Sequence, residues 1–426
     1  MITKEALKEI IVSNEKFIGE IERIVKREYL LLPEKINKVI VFSGVRRSGK
    51  TYCLFDIFKQ NKERALYIDF EDERLLGFGI NDFQKLKDSL LELKPDLTGK
   101  ELVFLLDEIQ NISGWERFAR RAIEKDRIKV FVSGSSSKMT PQHLHTSLRG
   151  RSWNLEIYPF SFREYLGVKG INSRNKKVLY GESRHIIKKH LYDYLKWGGF
   201  PEVCFLELEI EKRKVLKEYL EAIFFKDLVE RCKISNIYLL DALRDKLFES
   251  SALKISLNSL YKQYKGKFPF SKDSLFAYYR HYLDSLIVFE VRKFSPSSYK
   301  RLRNPAKIFL IDPGISRRTA SQDYGRQMEN VVFLELKRRG FEVFYFEEKN
   351  ECDFIVKEYN GVYSPLQVTW ELTPENRGRE FQGLVQACKM LGIKNGTIIT
   401  HDEEREEKED GITIDIVPVW KWLILQ

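Results

Sequence analysis

Runs of consecutive apolar residues alternate with amphipathic stretches over the first 170 residues of the chain. The apolar runs predict four buried β-strands, and the stretches between them have the 3.6-residue periodicity of helices. Strands that alternate with helices imply right-handed crossovers and a parallel sheet. The pattern therefore predicts an α/β domain over residues 1–170, with an amphipathic helix within 1–30 and strands within 39–44, 65–72, 101–110 and 129–136.

The remaining pattern predicts three further domains. Residues 171–240 are mostly helical in periodicity and predict a helical lid. Residues 241–312 follow the order helix, turn, helix and β-hairpin, which is typical of a winged-helix domain, with Ser271 as N-cap of the second helix. Residues 313–426 predict a second α/β unit, and its acidic run at 402–410 is interpreted as a solvated turn.

Composition excludes several classes of protein. A hydrophobic content of 43% with 32% charged residues excludes a disordered or collagen-like chain. No apolar run reaches the roughly 18–20 residues of a membrane helix, and the charged N-terminus lacks a signal-peptide apolar region, so we expect a cytoplasmic protein without a membrane partner. The five cysteines are far apart and indicate neither a disulfide framework nor a zinc site.

Positive charge is concentrated in one part of the chain. The formal net charge is +11, and residues 251–310 alone hold twelve Lys or Arg against three acids. A basic winged helix predicts DNA binding that is salt-sensitive and weakly sequence-specific. The alternative is an interdomain packing module with a solvated basic face. The predicted DNA contacts are Lys272, Tyr279 and Arg280 on the second helix and Lys300, Arg301 and Arg303 on the wing.

A phosphate-binding loop lies between the first predicted strand and a helix. The segment GVRRSGKT, residues 44–51, matches G-x-x-x-x-G-K-[ST] throughout. In this motif backbone N–H groups and the helix N-terminus hold the β-phosphate, Lys50 bridges the β- and γ-oxygens, and the Thr51 hydroxyl ligates Mg²⁺. ATP and Mg²⁺ are therefore the predicted cofactors. The predicted nucleotide contacts are Gly44, Val45, Arg46, Arg47, Ser48, Gly49, Lys50, Thr51 and Tyr52, of which Arg46 and Arg47 are interpreted as solvated rather than catalytic.

Two acids end the buried strand LVFLLDE. Asp107 is predicted to hold Mg²⁺ through water, and Glu108 to polarise the attacking water as a general base. Ser135, in the turn after the next strand, is predicted to sense the γ-phosphate, although serines in such turns are commonly caps. Arg149 and Arg151 are candidates for a cationic finger, supplied in cis or by a neighbouring subunit of a homo-oligomer, or for a basic surface loop.

Several motifs occur in the order found in a known family. The segments GVRRSGKT, LLDEIQ, SGSS with LRGR, PFSFREYL, GGFPE, IDPG, ENVVFLEL and ECDF together resemble the prokaryotic AAA-type ATPases with a C-terminal restriction-endonuclease-like domain. The resemblance covers nearly the whole chain. It implies an AAA+ core related to the signal-transduction ATPases, a helical lid, a winged helix and a nuclease-like tail. It also implies that Gly199 and Pro201 lie against the nucleotide, although a helix-breaking turn explains the same residues.

The resemblance also raises the question of nuclease activity. Restriction-type nucleases bind Mg²⁺ with an acid on one strand and an E/D-x-K pair on the next. Asp353 fits the first acid, and Glu335 or Glu329 fits an additional ligand. Gln367-Val368-Thr369 stands where the pair is expected, so one carboxylate and the lysine are absent. We therefore expect an inactive domain, with Lys357 or Glu371 as the substitutes that would restore a site.

These observations predict a Mg²⁺-dependent ATPase of the AAA+ class. The predicted fold is α/β, a P-loop AAA+ parallel sheet followed by a helical lid, a winged helix and a restriction-endonuclease-like domain. Its hydrolysis cycle would move the winged-helix and nuclease-like module on DNA. Two alternatives stay open, a nucleotide-dependent switch that gates a protein partner and an ATP-regulated DNA nuclease.

Overall fold

The computed structural model divides the chain at Tyr158. Unit 1 is Met1–Tyr158 and unit 2 is Pro159–Gln426. Residues 159–170, which the sequence pattern placed with the first domain, belong to unit 2. The structure describes residues 2–33, 35–134, 139, 141–173, 181, 184–295, 304–316 and 323–425, without the side chains of 141–143.

Unit 1 is built on a sheet of five parallel strands in the order β2–β3–β4–β1–β5. The four predicted strands are confirmed, and β5 is an additional one. The strands β3, β4 and β1 are neighbours and run parallel, so their carboxyl ends lie at the same edge of the sheet. The nucleotide-binding motifs begin at this edge. The strands are β1 Val39–Ser43, β2 Ala65–Asp69, β3 Leu102–Asp107, β4 Ile128–Gly134 and β5 Ser152–Glu156.

Helices cover both faces of this sheet. Alternate residues of β1 point to opposite faces, so Val39 and Val41 pack in the core that contains α1, α3 and α4, and Ile40 and Phe42 pack in the core that contains α2. Both faces are therefore apolar, which explains the continuous hydrophobic runs in the strands. The helices are α1 Lys4–Glu20, α2 Lys50–Gln60, α3 Asp82–Leu93, α4 Trp115–Glu124 and α5 Pro141–Ser147.

The first half of unit 2 is helical, as the sequence pattern predicts. A π-helix, Ile223–Glu230, directly continues α9. Ser271 caps α12, where its hydroxyl accepts a hydrogen bond from the Ser274 backbone N–H at 3.0 Å. The helices are α6 Phe162–Val168, α7 Arg184–Trp197, α8 Pro201–Phe205, α9 Glu209–Ala222, α10 Ile237–Glu249, α11 Leu257–Tyr264 and α12 Lys272–Asp284.

Unit 2 also contains a mixed sheet of nine strands in the order β13–β14–β12–β11–β10–β9–β7–β8–β6. At one end β8 pairs antiparallel with β6 and β7, and β7 pairs parallel with β9. The strands are β6 Lys254–Ile255, β7 Val288–Lys293, β8 Ala306–Leu310, β9 Glu342–Glu347, β10 Glu351–Lys357, β11 Tyr363–Val368, β12 Asn395–Thr400, β13 Arg405–Glu409 and β14 Ile412–Pro418.

Three helices accompany the C-terminal strands, α13 Tyr324–Arg338, α14 Pro374–Leu391 and α15 Val419–Leu425. The interpretation of residues 402–410 as a turn is wrong for most of that run, because Arg405–Glu409 is a strand that pairs antiparallel with β14. Nowhere in the described ranges is a helix long and apolar enough to cross a membrane.

Candidate nucleotide site and buried acidic cluster

The phosphate-binding loop connects β1 to α2 and needs glycine at both ends. A side chain on Gly44 would collide with the backbone carbonyl of Ile157, and Gly49 has a φ of +97°, in the left-handed region. Arg27 supports the loop from outside by donating a hydrogen bond to the Ser48 carbonyl at 3.0 Å. This geometry places the start of α2, whose first N–H groups have no acceptor within the helix, at the end of the loop.

The side chains of the loop are suited to phosphate oxygens. Lys50 is 5% exposed, and its Nζ donates to the carbonyls of Gly44 at 3.1 Å and Val45 at 3.0 Å. The Ser48 Oγ is fully buried and has no hydrogen-bond partner within the described part of the chain. A buried ammonium, an unpartnered hydroxyl and a helix N-terminus together fit a bound phosphate chain.

Asp107, at the carboxyl end of β3, is the most buried acid of the site, with 2% of its surface exposed. It accepts hydrogen bonds from the side chain of Ser133 and from the Tyr67 hydroxyl, the latter at 3.0 Å, and the Thr51 side chain lies beside it. Burial raises the pKa of Asp107, the negative charge of Glu108 adds to this, and the three hydroxyls oppose it. The structure thus brings together Thr51 and Asp107, the two residues predicted to bind Mg²⁺.

Glu108 follows β3 in a left-handed conformation with a φ of +47°. Its backbone N–H donates to the Asp107 Oδ1 at 3.1 Å, and the Gln110 side-chain amide donates to its carboxylate. The residue is half-buried. Glu108 is therefore oriented by a neighbouring amide and is not fully buried, and a general base needs both orientation and access to water.

Of three groups around Asp107, sequence reasoning missed Tyr67 and Asp69, and it expected Ser133 beside the phosphate region. Tyr67 and Asp69 come from β2, where Asp69 lies opposite Asp107 in the strand register, and Ser133 comes from β4. Burial raises the pKa of Asp69 to about 6, with the charge of Asp107 adding to the effect and the Glu71 backbone N–H opposing it. The available signal was the polar residue near the end of each strand. Ser135, to which we assigned the sensor role, lies outside the described residues.

Arg149 and Arg151 precede β5 and do not lie near the phosphate-binding loop of their own unit. The Arg151 carbonyl accepts a hydrogen bond from the backbone N–H of Val39, the first residue of β1. The loop begins after the last residue of that strand, about 13 Å away at 3.3 Å per residue. This placement does not favour a finger supplied in cis, and a finger supplied by a neighbouring subunit stays a prediction.

Gly199 and Pro201 lie at a junction of three motifs within unit 2. The Gly199 N–H donates to the Asp312 Oδ2 at 2.7 Å, and the Phe160 N–H donates to the Gly199 carbonyl at 2.7 Å. Pro201 is the first residue of α8, where it needs no N–H. The segments PFSFREYL, GGFPE and IDPG therefore meet at one point. Contact of Gly199 and Pro201 with a nucleotide stays a prediction.

The residues predicted for a nuclease site form a buried ionic cluster that includes an unexpected lysine. Lys307 of β8 is 3% exposed, and its Nζ lies 2.7 Å from the Asp353 Oδ1, 2.7 Å from the Glu329 Oε1 and 2.9 Å from the Glu351 Oε1. The sequence has no lysine at the E-x-K position, but Lys307 from another strand lies beside Asp353. Glu335 instead pairs with Arg339 at 3.1 Å.

Polar groups complete this cluster. The side-chain oxygen of Gln367 accepts a hydrogen bond from the Asp353 N–H at 3.0 Å, and its amide donates to Glu380. Burial raises the pKa of Glu329 to about 8, the charge of Asp353 adds to this, and Lys307 opposes it. Lys357 is paired with Glu342 at 3.0 Å. Among the described residues, no group of three His, Cys, Asp or Glu side chains is placed to hold a metal ion.

The predicted DNA-binding helix is corrected at one position. Tyr279 is buried on the inner face of α12, and its hydroxyl donates to the Glu290 Oε2 at 2.9 Å, so it is not available to DNA. Lys272 and Arg280 are exposed on the outer face together with Phe276, whose ring lies 5.5 Å from the Lys272 Nζ. Lys300, Arg301 and Arg303 lie outside the described residues.

Comparison with known proteins agrees with the nucleotide site. Residues 36–166 match the AAA domain family, residues 188–324 a domain of unknown function (DUF8612) and residues 324–422 another (DUF4143). The uncharacterized protein MJ1544 of Methanocaldococcus jannaschii is 36% identical over 99% of this chain and 96% of its own length. This chain belongs to the same family as MJ1544. An uncharacterized protein of Haemophilus influenzae is 26% identical over 90% of this chain and 94% of its own.

Partial similarity to solved structures is also found. The Saccharomyces cerevisiae Hsp104–ADP complex is 14% identical, with a TM-score of 0.33, over 66% of this chain and 41% of its own. The Thermotoga maritima RuvB Holliday junction branch migration motor is 14% identical, with a TM-score of 0.28, over 71% of this chain and 93% of its own. These TM-scores are too low to support an inference. The AAA domain match and the five-stranded parallel sheet together show a P-loop fold of the AAA type in unit 1.

Proposed function

We propose that this protein binds and hydrolyses MgATP at the phosphate-binding loop of unit 1. The observation that carries the proposal is that Thr51, at the start of α2, lies close enough to Asp107, at the end of β3, to oppose the rise in the pKa of that carboxyl. These two residues would hold Mg²⁺, which offsets negative charge on the phosphate oxygens when it is bound. The oxygen donors of both residues match the preference of this cation.

Lys50 and Glu108 supply the remaining chemistry. The Lys50 ammonium now donates to two loop carbonyls and would donate to phosphate oxygens instead when nucleotide enters the loop. Glu108 would accept a proton from the attacking water, because it is partly exposed and is oriented by Gln110. The Ser48 hydroxyl, buried and unpartnered among the described residues, would gain an acceptor from the phosphate chain.

The test is steady-state MgATP hydrolysis by wild type and Glu108→Gln. A lost general base lowers kcat by about 10²–10⁴-fold, and we expect nucleotide binding, measured by calorimetry, to persist. Glu63→Gln is the matched control, since Glu63 is an exposed acid of the same unit. Hydrolysis by Glu108→Gln at the wild-type rate would contradict the proposal.

We further propose that the hydrolysis cycle moves a winged-helix and nuclease-like module on DNA. Three helices and the antiparallel strands β6, β8 and β7 follow the order of a winged helix, and residues 251–310 hold twelve Lys or Arg against three acids. The exposed Lys272, Phe276 and Arg280 on α12 present cationic and aromatic groups together. Such a surface suits phosphate contacts with little base readout.

DNA binding is tested by fluorescence anisotropy with duplex and single-stranded DNA at two salt concentrations. We expect affinity that falls with salt, weaker binding by Lys272→Glu/Arg280→Glu, and hydrolysis that DNA stimulates. Hydrolysis indifferent to DNA would favour the alternative, a nucleotide switch that gates a protein partner. No salt-dependent affinity for either DNA form would exclude the DNA part of the proposal.

The nuclease-like domain is proposed to be inactive. The Lys307 ammonium contacts Asp353, Glu329 and Glu351, so part of the negative charge that would attract a divalent cation is already compensated. We expect no Mg²⁺-dependent nicking of supercoiled plasmid by wild type. Nicking that Asp353→Ala abolishes would contradict this and favour an ATP-regulated nuclease.

A further inference from the structure

A cleft of about 290 Å³ lies on the surface of unit 1, and cationic side chains line it almost completely. It is separate from the phosphate-binding loop, because Arg149 and Arg151 precede β5 and Lys125 precedes β4, at the amino ends of these strands. The cleft residues are Arg117, Arg120, Arg121, Glu124, Lys125, Arg149 and Arg151.

The cations of the cleft form a row along α4. Phe118 and Ala122 are buried in the core, which turns Arg117, Arg121 and Lys125 outward at four-residue spacing. At a rise of 1.5 Å per residue, this row is about 12 Å long. A single DNA strand carries one phosphate per about 3.4 Å of helix axis, so a row of this length spans several phosphates.

Acidic side chains neutralise only part of this charge. Arg121 pairs with Asp126 at 3.2 Å, and Arg151 pairs with Glu124. Within the described ranges no carboxylate oxygen lies within 4.0 Å of Arg117, Lys125 or Arg149. Guanidinium groups bind phosphate oxygens through paired N–H donors, and close like charges are stabilised when an anion lies between them.

We propose that this cleft binds the phosphodiester backbone of nucleic acid. It would add a contact in the AAA domain to the DNA surface of unit 2, and it rests on the DNA binding proposed above. Arginines that present several N–H donors along a row contact successive phosphates and leave base sequence unread. The predicted binding is therefore electrostatic and independent of sequence.

The experiment compares four full-length proteins: wild type, the cleft variant Arg117→Glu/Lys125→Glu, the α12 variant Lys272→Glu/Arg280→Glu, and the control Lys16→Glu/Lys62→Glu. The control residues are exposed in unit 1 and change the charge equally. DNA affinity is measured by anisotropy across a salt series. We expect the cleft variant to bind DNA at least about tenfold more weakly than wild type. We also expect the magnitude of its slope of log K against log salt to be smaller by about two, since each phosphate contact contributes about 0.9. The control keeps the wild-type slope.

The outcomes separate this inference from the function it extends. Wild-type affinity and slope in the cleft variant, with weaker binding by the α12 variant, would overturn the inference alone. No DNA binding by wild type would overturn both. A cleft variant that keeps wild-type DNA affinity but loses self-association or DNA-free hydrolysis would assign the cleft to a second copy of this chain, and the inference would then be wrong.

Discussion

Two buried aspartates, one in each unit, have different kinds of partner. Asp107 of unit 1 and Asp353 of unit 2 are 2% and 6% exposed. Asp107 accepts hydrogen bonds from the hydroxyls of Ser133 and Tyr67, whereas Asp353 contacts the Lys307 ammonium at 2.7 Å. Neutral donors orient a carboxylate without neutralising it, but an ammonium does both.

The difference teaches that the compensating group, rather than burial, decides what a buried carboxylate can bind. Burial raises the pKa of Asp107, and the hydroxyl groups around it oppose this rise only in part. A divalent cation at that position would supply the missing charge. At Asp353 a positive charge is already present within the chain, on Lys307 of β8. We therefore expect the first aspartate to be functional and the second to be structural.

Replacement of Asp107 by Asn should have the largest effect on activity. The variant keeps a side chain of the same shape but removes the charge that would hold Mg²⁺. We expect kcat/KM for MgATP to fall by at least about 10³-fold, which corresponds to several kcal/mol of lost transition-state stabilisation. Unit 1 should unfold at the same or a higher temperature, since an uncompensated buried charge is gone.

Glu63→Gln again serves as the control for this measurement, and thermal unfolding is recorded for both variants. The contrast between Asp107 and Asp353 would be wrong if Asp107→Asn lowered the unfolding temperature of unit 1 by several degrees while hydrolysis per folded molecule persisted. Asp107 would then be a structural acid like Asp353.

Lys307→Met should have the largest effect on stability. The variant leaves Glu329, Glu351 and Asp353 without their shared cation, and such a loss typically costs about 3–5 kcal/mol. Hydrogen exchange of the β10 peptide, measured by mass spectrometry in full-length protein at increasing urea, reports the stability of this region. ATP hydrolysis in the absence of DNA is recorded in parallel as a readout of unit 1.

Lys254→Met is the matched control, because Lys254 also pairs with Glu351, at 2.8 Å, but its side chain is 28% exposed. We expect a loss of at most about 1 kcal/mol for this partly solvated pair. Equal losses in the two lysine variants would show that burial of Lys307 has no special importance, and our account of Asp353 would be wrong.

The sequence was most informative where function depends on local order. GVRRSGKT and LVFLLDE are each a continuous segment of the chain. Their positions at the ends of β1 and β3 therefore followed from strand and helix patterns. The hydroxyls of Tyr67 and Ser133 come from neighbouring strands, and the strand order that places them beside Asp107 cannot be deduced from periodicity. The strand β5, SWNLE, has too few apolar residues to be recognised.

Long-range pairing limited the prediction in unit 2. Lys307 stands 46 residues before Asp353, and no spacing rule within the nuclease-like segment indicates that β8 brings it there. Tyr279 was predicted to face DNA because it lies on the second helix of the basic segment 251–310. The helix actually buries it against Glu290, a contact with the following strand that fixes which face is outward.

A third buried aspartate, Asp312, has backbone N–H groups as its partners and allows a test with a smaller, pH-dependent effect. Asp312 is 1% exposed, and its carboxylate accepts hydrogen bonds from the backbone N–H groups of Gly199 at 2.7 Å and Gly314 at 2.8 Å. Burial raises the pKa of Asp312 to about 7, while these N–H groups and the charge of Arg338 oppose the rise. Backbone donors therefore leave this charge under-compensated, as the hydroxyls do at Asp107.

We expect unit 2 to lose stability as pH rises toward 7, because the folded protein retains a proton that the unfolded chain has released above pH 4. Between pH 5.5 and 7.0 the loss from this one group is about 1.5 kcal/mol. Asp312→Asn cannot titrate and should lose that part of the pH dependence, whereas the exposed Asp415→Asn should retain it. Urea unfolding followed by hydrogen exchange of unit 2 peptides at both pH values measures the difference. Equal pH dependence in Asp312→Asn and wild type would contradict this account. It would mean that backbone N–H groups compensate the charge of Asp312 as fully as Lys307 compensates that of Asp353. The type of partner would then not distinguish one buried aspartate from another.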